Sequence, residues 1–305
     1  MSETYATAPI GGIEAGGTRF TCVIARTPDA IVERTTIPTT TPGQTLDAVI
    51  RFFRDGARRH GRLAALGLAS FGPIELDSTA PHYGFITQTP KPDWSDVPIL
   101  SWLGEALGVP VAFDTDVNGA ALGELHGGAA EGLSDFVYVT IGTGIGAGLF
   151  TGGRLLNGVS HPELGHLLVA RHPDDDYAGC CPFHGGCLEG LASGPALERR
   201  WGLEPSAMPE SHHGWAIEAH YLASLCHSLT CLTAPERIIL GGGVMLQTHL
   251  FAKIRRQFIE LSGGYFPWIT AEKLERYIVP PAHLGRSGEV GALVLAEQCV
   301  SRLTP

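Results

Sequence analysis

No run of apolar residues in the sequence approaches the roughly 20 that a membrane-spanning helix needs. The N-terminal stretch MSETYATAPIGG lacks the basic start and the apolar core of a secretory signal, so we expect the chain to work in the cytoplasm. Basic residues are also few, since 21 Lys and Arg stand against 31 Asp and Glu, which gives a net charge of −10. This balance disfavours extended contact with nucleic acid or an anionic membrane, and neither is expected as a partner.

The remaining composition is that of a globular protein with room for two cores. Hydrophobic residues make up 44% of the 305 residues and charged residues only 17%, so sizeable cores can be buried. The cysteines number seven, an odd count, and three of them fall within the short stretch CCPFHGGC at 180–187. In a cytosolic chain this pattern favours metal binding or buried thiols over disulfides.

Two segments of the chain resemble one another. IGGIEAGGTRFTCVIA at 10–25 and FVYVTIGTGIGAGLF at 136–150 each read as a strand, a glycine-rich turn and a second strand, which suggests a duplicated architecture with two lobes. Elsewhere the pattern predicts strands at 63–70, 109–113, 237–240 and 276–279, and helices at 45–61, from 116, at 214–233, near 247–261 and at 288–300. Strands that alternate with helices predict an α/β fold.

The glycine-rich turns carry groups that bind phosphate. The first turn offers a carboxylate, two glycines and a hydroxyl, and the second offers the same kind of backbone donors: Glu14, Gly16, Gly17 and Thr18, then Gly142, Thr143 and Gly144. Phosphates need convergent N–H donors and a nearby cation or a carboxylate that holds Mg²⁺. Plain hairpin turns are the alternative interpretation, and the motif GxxxxGK[ST] is absent.

A third glycine cluster, Gly241, Gly242 and Gly243, follows a predicted strand and precedes a predicted helix. Consecutive glycines let a flat group lie close to the backbone. A tight turn without a ligand would give the same pattern, so this interpretation stays open.

Several polar residues are candidates for acid–base chemistry or sugar binding. Asp116 follows a predicted strand, and a carboxylate there could accept the proton of an alcohol during phosphoryl transfer. The alternative is a helix N-cap, and Asn118 is either a sugar ligand or a helix-start residue. Glu163, His166 and Glu189 could bracket adjacent sugar hydroxyls, or they could be surface charges.

Cys181, His184 and Cys187 have the spacing of zinc ligands. A tetrahedral site needs a fourth ligand, for which four residues are candidates: His161, His166, His172 and Cys180. Four protein ligands leave no position for water, which favours a structural metal. Buried thiols beside a solvated histidine are the alternative.

The ordered motifs of the chain resemble a known family. They are GGIEAGGT at 11–18, STAPHYGFITQTPKPDW at 78–94, DTDVNGAALGE, IGTGIGAG, HPELGH, CPFHGGCLEGLASGP and IILGGGVM. Together they resemble the ROK sugar kinases (repressor, open reading frame, kinase), and most closely the bacterial zinc-containing fructokinases. The chain departs from many members at Glu14, where aspartate is common, and at Thr115, where glucokinases of the family usually have asparagine.

This resemblance implies the actin-like ATPase fold, an α/β fold of two ribonuclease-H-like lobes with ATP and sugar in the cleft between them. The expected lobes are residues 1–115, completed by the C-terminal helix 288–305, and residues 116–287, which include the zinc loop and ATP motifs. The family also suggests a homodimer.

The resemblance further implies ATP-dependent phosphorylation of D-fructose at its 6-hydroxyl, with Asp116 as the base. It places the phosphate motifs on Glu14 to Thr18 and Gly142 to Gly144, the adenosine motif on Gly241 to Gly243, and sugar contacts on Glu163, His166 and Glu189. The zinc ligands it implies are His166, Cys181, His184 and Cys187, with Mg²⁺ accompanying ATP.

Mannose, glucose or N-acetylmannosamine are the alternative sugars. A sugar-sensing ROK repressor is disfavoured, because the first glycine motif begins by residue 11 and leaves no room for a DNA-binding domain before it. A zinc-ribbon interaction module would not explain the paired glycine turns.

Overall fold

The structure is a computed structural model that describes residues 8–303. Residues 1–7 and 304–305 lie outside the described residues. The first segment holds much of the N-terminal stretch that is expected not to be a secretory signal, and the second is the end of the expected C-terminal helix. Within residues 8–303, no helix is both long enough and apolar enough to cross a membrane.

The described elements are, in chain order, β1 (Ile10–Ala15), β2 (Arg19–Ala25), β3 (Ile31–Pro38), α1 (Pro42–His60), β4 (Leu66–Ser70), α2 (Ile99–Leu107), β5 (Val111–Thr115), α3 (Asp116–Leu125), β6 (Phe136–Ile141), β7 (Ile145–Thr151) and β8 (Arg154–Leu155). They continue with α4 (Leu188–Ala192), α5 (Gly194–Trp201), α6 (Gly214–Thr233), β9 (Arg237–Gly241), α7 (Leu250–Ser262), α8 (Ala271–Tyr277), β10 (Ile278–Val279) and α9 (Ser287–Leu303).

The chain forms two compact units. The first unit is made of the described parts of Met1–Glu131, Asn157–His161 and Arg286–Pro305, and the second of Gly132–Leu156 and Pro162–Gly285. Each has its own sheet, with strand order β3-β2-β1-β4-β5 in the first and β10-β9-β6-β7-β8 in the second.

The two sheets repeat one pattern. In the first unit β1 pairs with β2 antiparallel and with β4 parallel, and in the second β6 pairs with β7 antiparallel and with β9 parallel. Both predicted hairpins are therefore confirmed, and each lies in the equivalent place of its own sheet. The glycine-rich turn of each hairpin consequently lies at the equivalent edge of its own sheet.

Each unit has its own core. In the first unit, α1 buries Leu46, Val49, Ile50 and Phe53, as its helical spacing predicts. In the second unit, the core includes Trp215, which is fully buried on α6. The strands and helices that carry the glycine turns and polar candidates are thus fixed by well-packed apolar faces.

The sequence prediction placed a boundary at residue 115, but α3 belongs to the first unit. Glycine brings α3 and α9 into backbone contact: a Cβ on Gly123 would lie 2.0 Å from the Ser287 carbonyl oxygen, and one on Gly291 would lie 1.6 Å from that of Gly119. The first unit therefore extends to Glu131 before the chain enters the second.

Other boundaries also differ from the prediction. The strand expected at 276–279 is only Ile278–Val279, because the residues before it end α8. The helix expected near 247 begins at Leu250, after a short 3-10 turn at Val244–Leu246.

Candidate functional site

The first glycine turn lies in the first unit and joins β1 to β2. The Gly16 N–H closes the turn by donating to the Arg19 carbonyl at 2.9 Å. Thr39 supports the turn, since its hydroxyl donates to the Gly16 carbonyl at 2.7 Å and its N–H donates to the Thr18 carbonyl at 3.0 Å. Among the described residues, the N–H groups of Gly17 and Thr18 have no partner and are available for an anion.

The second glycine turn lies in the second unit and joins β6 to β7. Here the Gly142 N–H closes the turn by donating to the Gly144 carbonyl at 2.9 Å, and the Gly194 N–H donates to the Gly142 carbonyl at 2.8 Å. Within the described part of the chain, the N–H groups of Thr143 and Gly144 have no partner. Both turns therefore use the first N–H internally and leave the next two for a ligand.

The triple glycine lies beside the second turn. A Cβ on Gly241 would lie 2.6 Å from the Tyr138 hydroxyl, and Gly242 has a φ of 88°, which favours glycine. A Cβ on Gly142 would lie 3.8 Å from the Gly243 nitrogen. The two glycine motifs of the second unit are thus neighbours, as a phosphate site and an adenosine site on one nucleotide must be.

Glu14 lies on β1 and packs against the start of α9, within the first unit. A Cβ on Gly288 would lie only 2.4 Å from Glu14 Oε1, so only glycine leaves room for this carboxylate. Burial, together with the charges of Asp116 and Glu289, raises the pKa of Glu14 to about 7. A divalent cation would offset the repulsion between Glu14, Asp116 and Glu289, so the Glu14 carboxylate is a suitable ligand for Mg²⁺.

Asp116 is the first residue of α3, and the N-cap is its neighbour Thr115, whose hydroxyl accepts from the Asn118 N–H at 3.1 Å. The interpretation of Asp116 as an N-cap is therefore wrong. Asp116 Oδ1 accepts from the Val117 N–H at 2.9 Å, and desolvation by burial raises the pKa of Asp116 to about 6. A carboxyl with this pKa is ionised at neutral pH and basic enough to accept a proton.

Asn118 is buried and forms hydrogen bonds with residues of its own segment, 114–118. Its Nδ2 donates to Asp114 Oδ1 at 2.7 Å, and the same oxygen accepts from the Thr115 N–H at 2.8 Å. Asn118 Oδ1 is buried without a partner among the described residues. Sequence reasoning missed Asp114, although its place four residues before Asn118 was a usable signal; the sugar contact of Asn118 stays a prediction.

Four side chains in the second unit form a group that could hold a metal ion: His166, Cys181, His184 and Cys187. Their ligand atoms all lie within 4.8 Å of one another. Cys181 Sγ is 3.8 Å from His166 Nδ1 and 3.7 Å from His184 Nδ1, and Cys187 Sγ is 3.6 Å from His166 Nδ1. Zinc bonds of about 2.3 Å to sulfur and 2.0 Å to nitrogen at tetrahedral angles place a sulfur and a nitrogen about 3.5 Å apart, close to these three distances, so the donors fit.

The group also identifies the fourth candidate ligand as His166. His161, one of the alternatives, lies in the first unit, where its Nε2 accepts from the Ile74 N–H at 3.2 Å. Because His166 presents Nδ1 to the sulfurs, its Nε2 remains for another partner. A histidine that binds a metal through one ring nitrogen and a substrate through the other requires this arrangement.

The remaining sugar candidates lie on the same unit as the metal group. Glu163 is exposed and precedes the 3-10 turn Leu164–His166, while Glu189 is half-buried on α4. Glu189 Oε2 accepts from the Ile145 N–H at 2.9 Å, at the end of the second glycine turn. The structure thus places Glu189 against a phosphate candidate, which the sequence did not indicate.

The fold and these sites define an α/β protein with two matched turns suited to phosphate. Residues 10–299 match the sequence profile of the ROK family, and the chain belongs to this family. Its fold is accordingly the actin-like ATPase fold, as expected.

Relatives and a solved structure are similar over nearly the whole chain. A fructokinase of Zymomonas mobilis is 43% identical over 293 residues, covering 94% of this chain and 95% of that protein. A fructokinase of Streptococcus mutans is 40% identical over 306 residues, covering 99% and 100%. The ROK family glucokinase from Streptomyces griseus in complex with glucose and AMPPNP has a TM-score of 0.75 at 25% identity, covering 95% of this chain and 100% of that chain.

Proposed function

We propose that the protein is a fructokinase, which transfers the γ-phosphoryl group of ATP to the 6-hydroxyl of D-fructose and releases fructose 6-phosphate and ADP. One observation carries the proposal: relatives named fructokinase are 40% to 43% identical and align with at least 94% of the chain. The two glycine turns and Asp116 supply the groups that such a reaction needs.

Asp116 is the proposed general base. A primary alcohol is a weak nucleophile at neutral pH, so a carboxylate that accepts its proton while the oxygen attacks phosphorus speeds the step by about 10²–10⁴-fold. Desolvation raises the pKa of Asp116 to about 6, which leaves it ionised at pH 7 while increasing its affinity for the proton.

Each glycine turn is a proposed phosphate-binding element of its own unit. The N–H groups of Gly17 and Thr18, and those of Thr143 and Gly144, would donate to phosphate oxygens where charge develops during transfer. Use of a nucleotide is supported by the Streptomyces griseus glucokinase, whose complex holds AMPPNP. Glu14 would hold Mg²⁺, which supplies charge neutralisation on the phosphates when it is bound.

The metal group is proposed to organise the sugar site. His166, Cys181, His184 and Cys187 would hold Zn²⁺, which when bound acts as a structural cross-link. His166 would then meet the sugar through Nε2, because its Nδ1 faces the sulfurs. Glu163, three residues before His166, and Asn118 are further proposed sugar contacts.

The sugar and the cellular context complete the proposal. Mannose, glucose and N-acetylmannosamine remain the alternative sugars, and a sugar sensor without catalysis is the remote one. We also propose a cytoplasmic homodimer that does not bind nucleic acid, in keeping with the net charge of −10.

Product analysis tests the proposal. The protein is incubated with MgATP and each of the four hexoses, and phosphorus NMR identifies the phosphorylated position. Fructose 6-phosphate as the fastest product supports the proposal. Faster phosphorylation of another hexose would replace fructose as the substrate, and no phosphorylated hexose at all would favour the sensor.

A further inference from the structure

We propose that Glu189 is a positioning residue for the nucleotide: through its bond to Ile145 it holds the phosphate turn Gly142–Gly144 and joins that turn to the metal group. The inference rests on the proposed function, because it takes this turn as the phosphate site. It assigns Glu189 a role that differs from the sugar contact implied by the family resemblance.

The contact between Glu189 and the turn is close. Glu189 Oε2 accepts from the Ile145 N–H at 2.9 Å, and a Cβ on Gly144 would lie 2.6 Å from the same oxygen. The carboxylate therefore packs against the turn itself, and Gly144 is the residue whose missing side chain makes the approach possible.

The helices after the turn hold it at both ends. Glu189 lies in the first turn of α4 and binds the end of the glycine turn at Ile145. Gly194, at the start of α5, donates its N–H to the carbonyl of Gly142 at 2.8 Å. Because residues 188–194 fix both ends of the glycine turn, the N–H groups of Thr143 and Gly144 between those ends are held in one arrangement.

Ile145 is also where the metal group meets the turn. A Cβ on Gly165 would lie 2.0 Å from the Ile145 carbonyl oxygen, so the residue before His166 packs directly on Ile145. Glu189 follows Cys187 by two residues and reaches the N–H of the same Ile145. These two contacts to Ile145 are thus made by residues one and two positions from candidate metal ligands, and metal binding would restrain them together.

A sugar contact alone does not explain this arrangement. A carboxylate beside a phosphate site brings like charges together, which is unfavourable unless the carboxylate has another task. Holding a backbone N–H is such a task, and it uses Oε2. Glu189 Oε1 has no partner among the described residues and can still meet a sugar hydroxyl, so the two roles must be separated by experiment.

The test measures MgADP binding by calorimetry on zinc-loaded protein without sugar, and fructose binding separately. Glu189→Ala should weaken MgADP binding by about tenfold, because the turn loses a charge-assisted hydrogen bond. Glu189→Gln should restore most of the affinity, since its amide oxygen can accept from the Ile145 N–H. Glu198→Ala removes an exposed carboxylate from the neighbouring helix α5 and should bind MgADP like the wild type.

A second pair of variants covers the case in which Glu189→Ala folds poorly. Gly144→Ala would push the Glu189 carboxylate away, and Glu189→Asp would draw it back by one carbon, so each change should lose the bond to the Ile145 N–H. Their combination should therefore weaken MgADP binding by less than the product of the two separate effects. Independent effects would contradict the inference.

Two results would overturn the inference, and they differ in what they mean for the proposed function. Unchanged MgADP affinity in Glu189→Ala together with weaker fructose binding would overturn the inference and leave Glu189 as a sugar contact, while the proposed function would stand. Failure of the folded, zinc-loaded wild type to bind MgADP would overturn the proposed function and this inference with it.

Discussion

Arg200 and Asp175 form a buried ion pair in the second unit. Arg200 Nη2 lies 3.2 Å from Asp175 Oδ2, and the two side chains are only 4% and 2% exposed. The Tyr221 hydroxyl donates to the same carboxylate oxygen, and Arg200 Nη2 also donates to the Leu191 carbonyl at 2.8 Å. Because Asp175 lies between His166 and Cys181 in the chain, this pair fastens the metal-binding segment to α5.

Asp175→Ala is therefore expected to lower the free energy of unfolding by about 3–5 kcal/mol, because it leaves the Arg200 charge buried without its partner. Denaturant unfolding of the zinc-loaded protein measures this. Asp55→Ala is the control: its pair with Arg58 is exposed, at 52% and 79%, and should change stability by less than about 1 kcal/mol. Equal effects of the two substitutions would show that the buried pair is not an anchor.

Asp116→Asn should lower kcat by about 10²–10⁴-fold and change the KM for fructose little, because an amide cannot accept the sugar proton. Steady-state kinetics at saturating MgATP measure both constants. Asp47→Asn makes the same chemical change at an exposed position of α1 and should leave both unchanged. A near-normal kcat in Asp116→Asn would remove Asp116 from the role of base.

The same base predicts the pH dependence. A carboxyl whose pKa is raised to about 6 is protonated below that pH, so kcat/KM should fall as the pH drops through 6. Glu14, the proposed Mg²⁺ ligand, has its pKa raised to about 7, so its protonation should start the fall near pH 7 and the profile should level off only above that pH. The profile of kcat/KM between pH 5 and 9 measures this, and activity that rises as the pH falls would contradict a carboxylate base.

Cys181→Ser should lose the metal and lower both the melting temperature and the affinity for fructose. A structural zinc site contributes directly to folding, and it also orients His166. Metal analysis, thermal unfolding and fructose titration measure the three effects. Cys180→Ser changes the adjacent cysteine, which lies outside the group of four ligands, and should keep the metal. A stable Cys181→Ser protein with normal fructose affinity would exclude this role of the metal.

The parts of the fold that the sequence predicts are those with local signals. The two hairpins were predictable because glycines stand between short apolar runs, and α1 because Leu46, Val49, Ile50 and Phe53 share one face. Strand β3, with the sequence IVERTTIP, was missed because it contains no buried apolar run, although five of its eight residues are β-branched and its side chains alternate between half-buried and exposed positions. The short helices α4 and α5 were missed because only Ser193 separates them.

The parts that the sequence does not predict depend on residues far apart in the chain. The boundary at 115 was wrong because Gly123 packs against Ser287, a contact that no local pattern reveals. Spacing alone gave three of the candidate metal ligands and left the fourth open, since His166 is brought to them by the fold. The contact of Glu189 with Ile145, 44 residues away, likewise exists only in the folded chain.

A coupled ADP-release assay with fructose and MgATP, on protein of known zinc content, tests the central proposal most directly. The proposed function predicts rapid ADP release that requires fructose, with about one zinc per chain. Absence of fructose-dependent ADP release from folded, zinc-containing protein would contradict it.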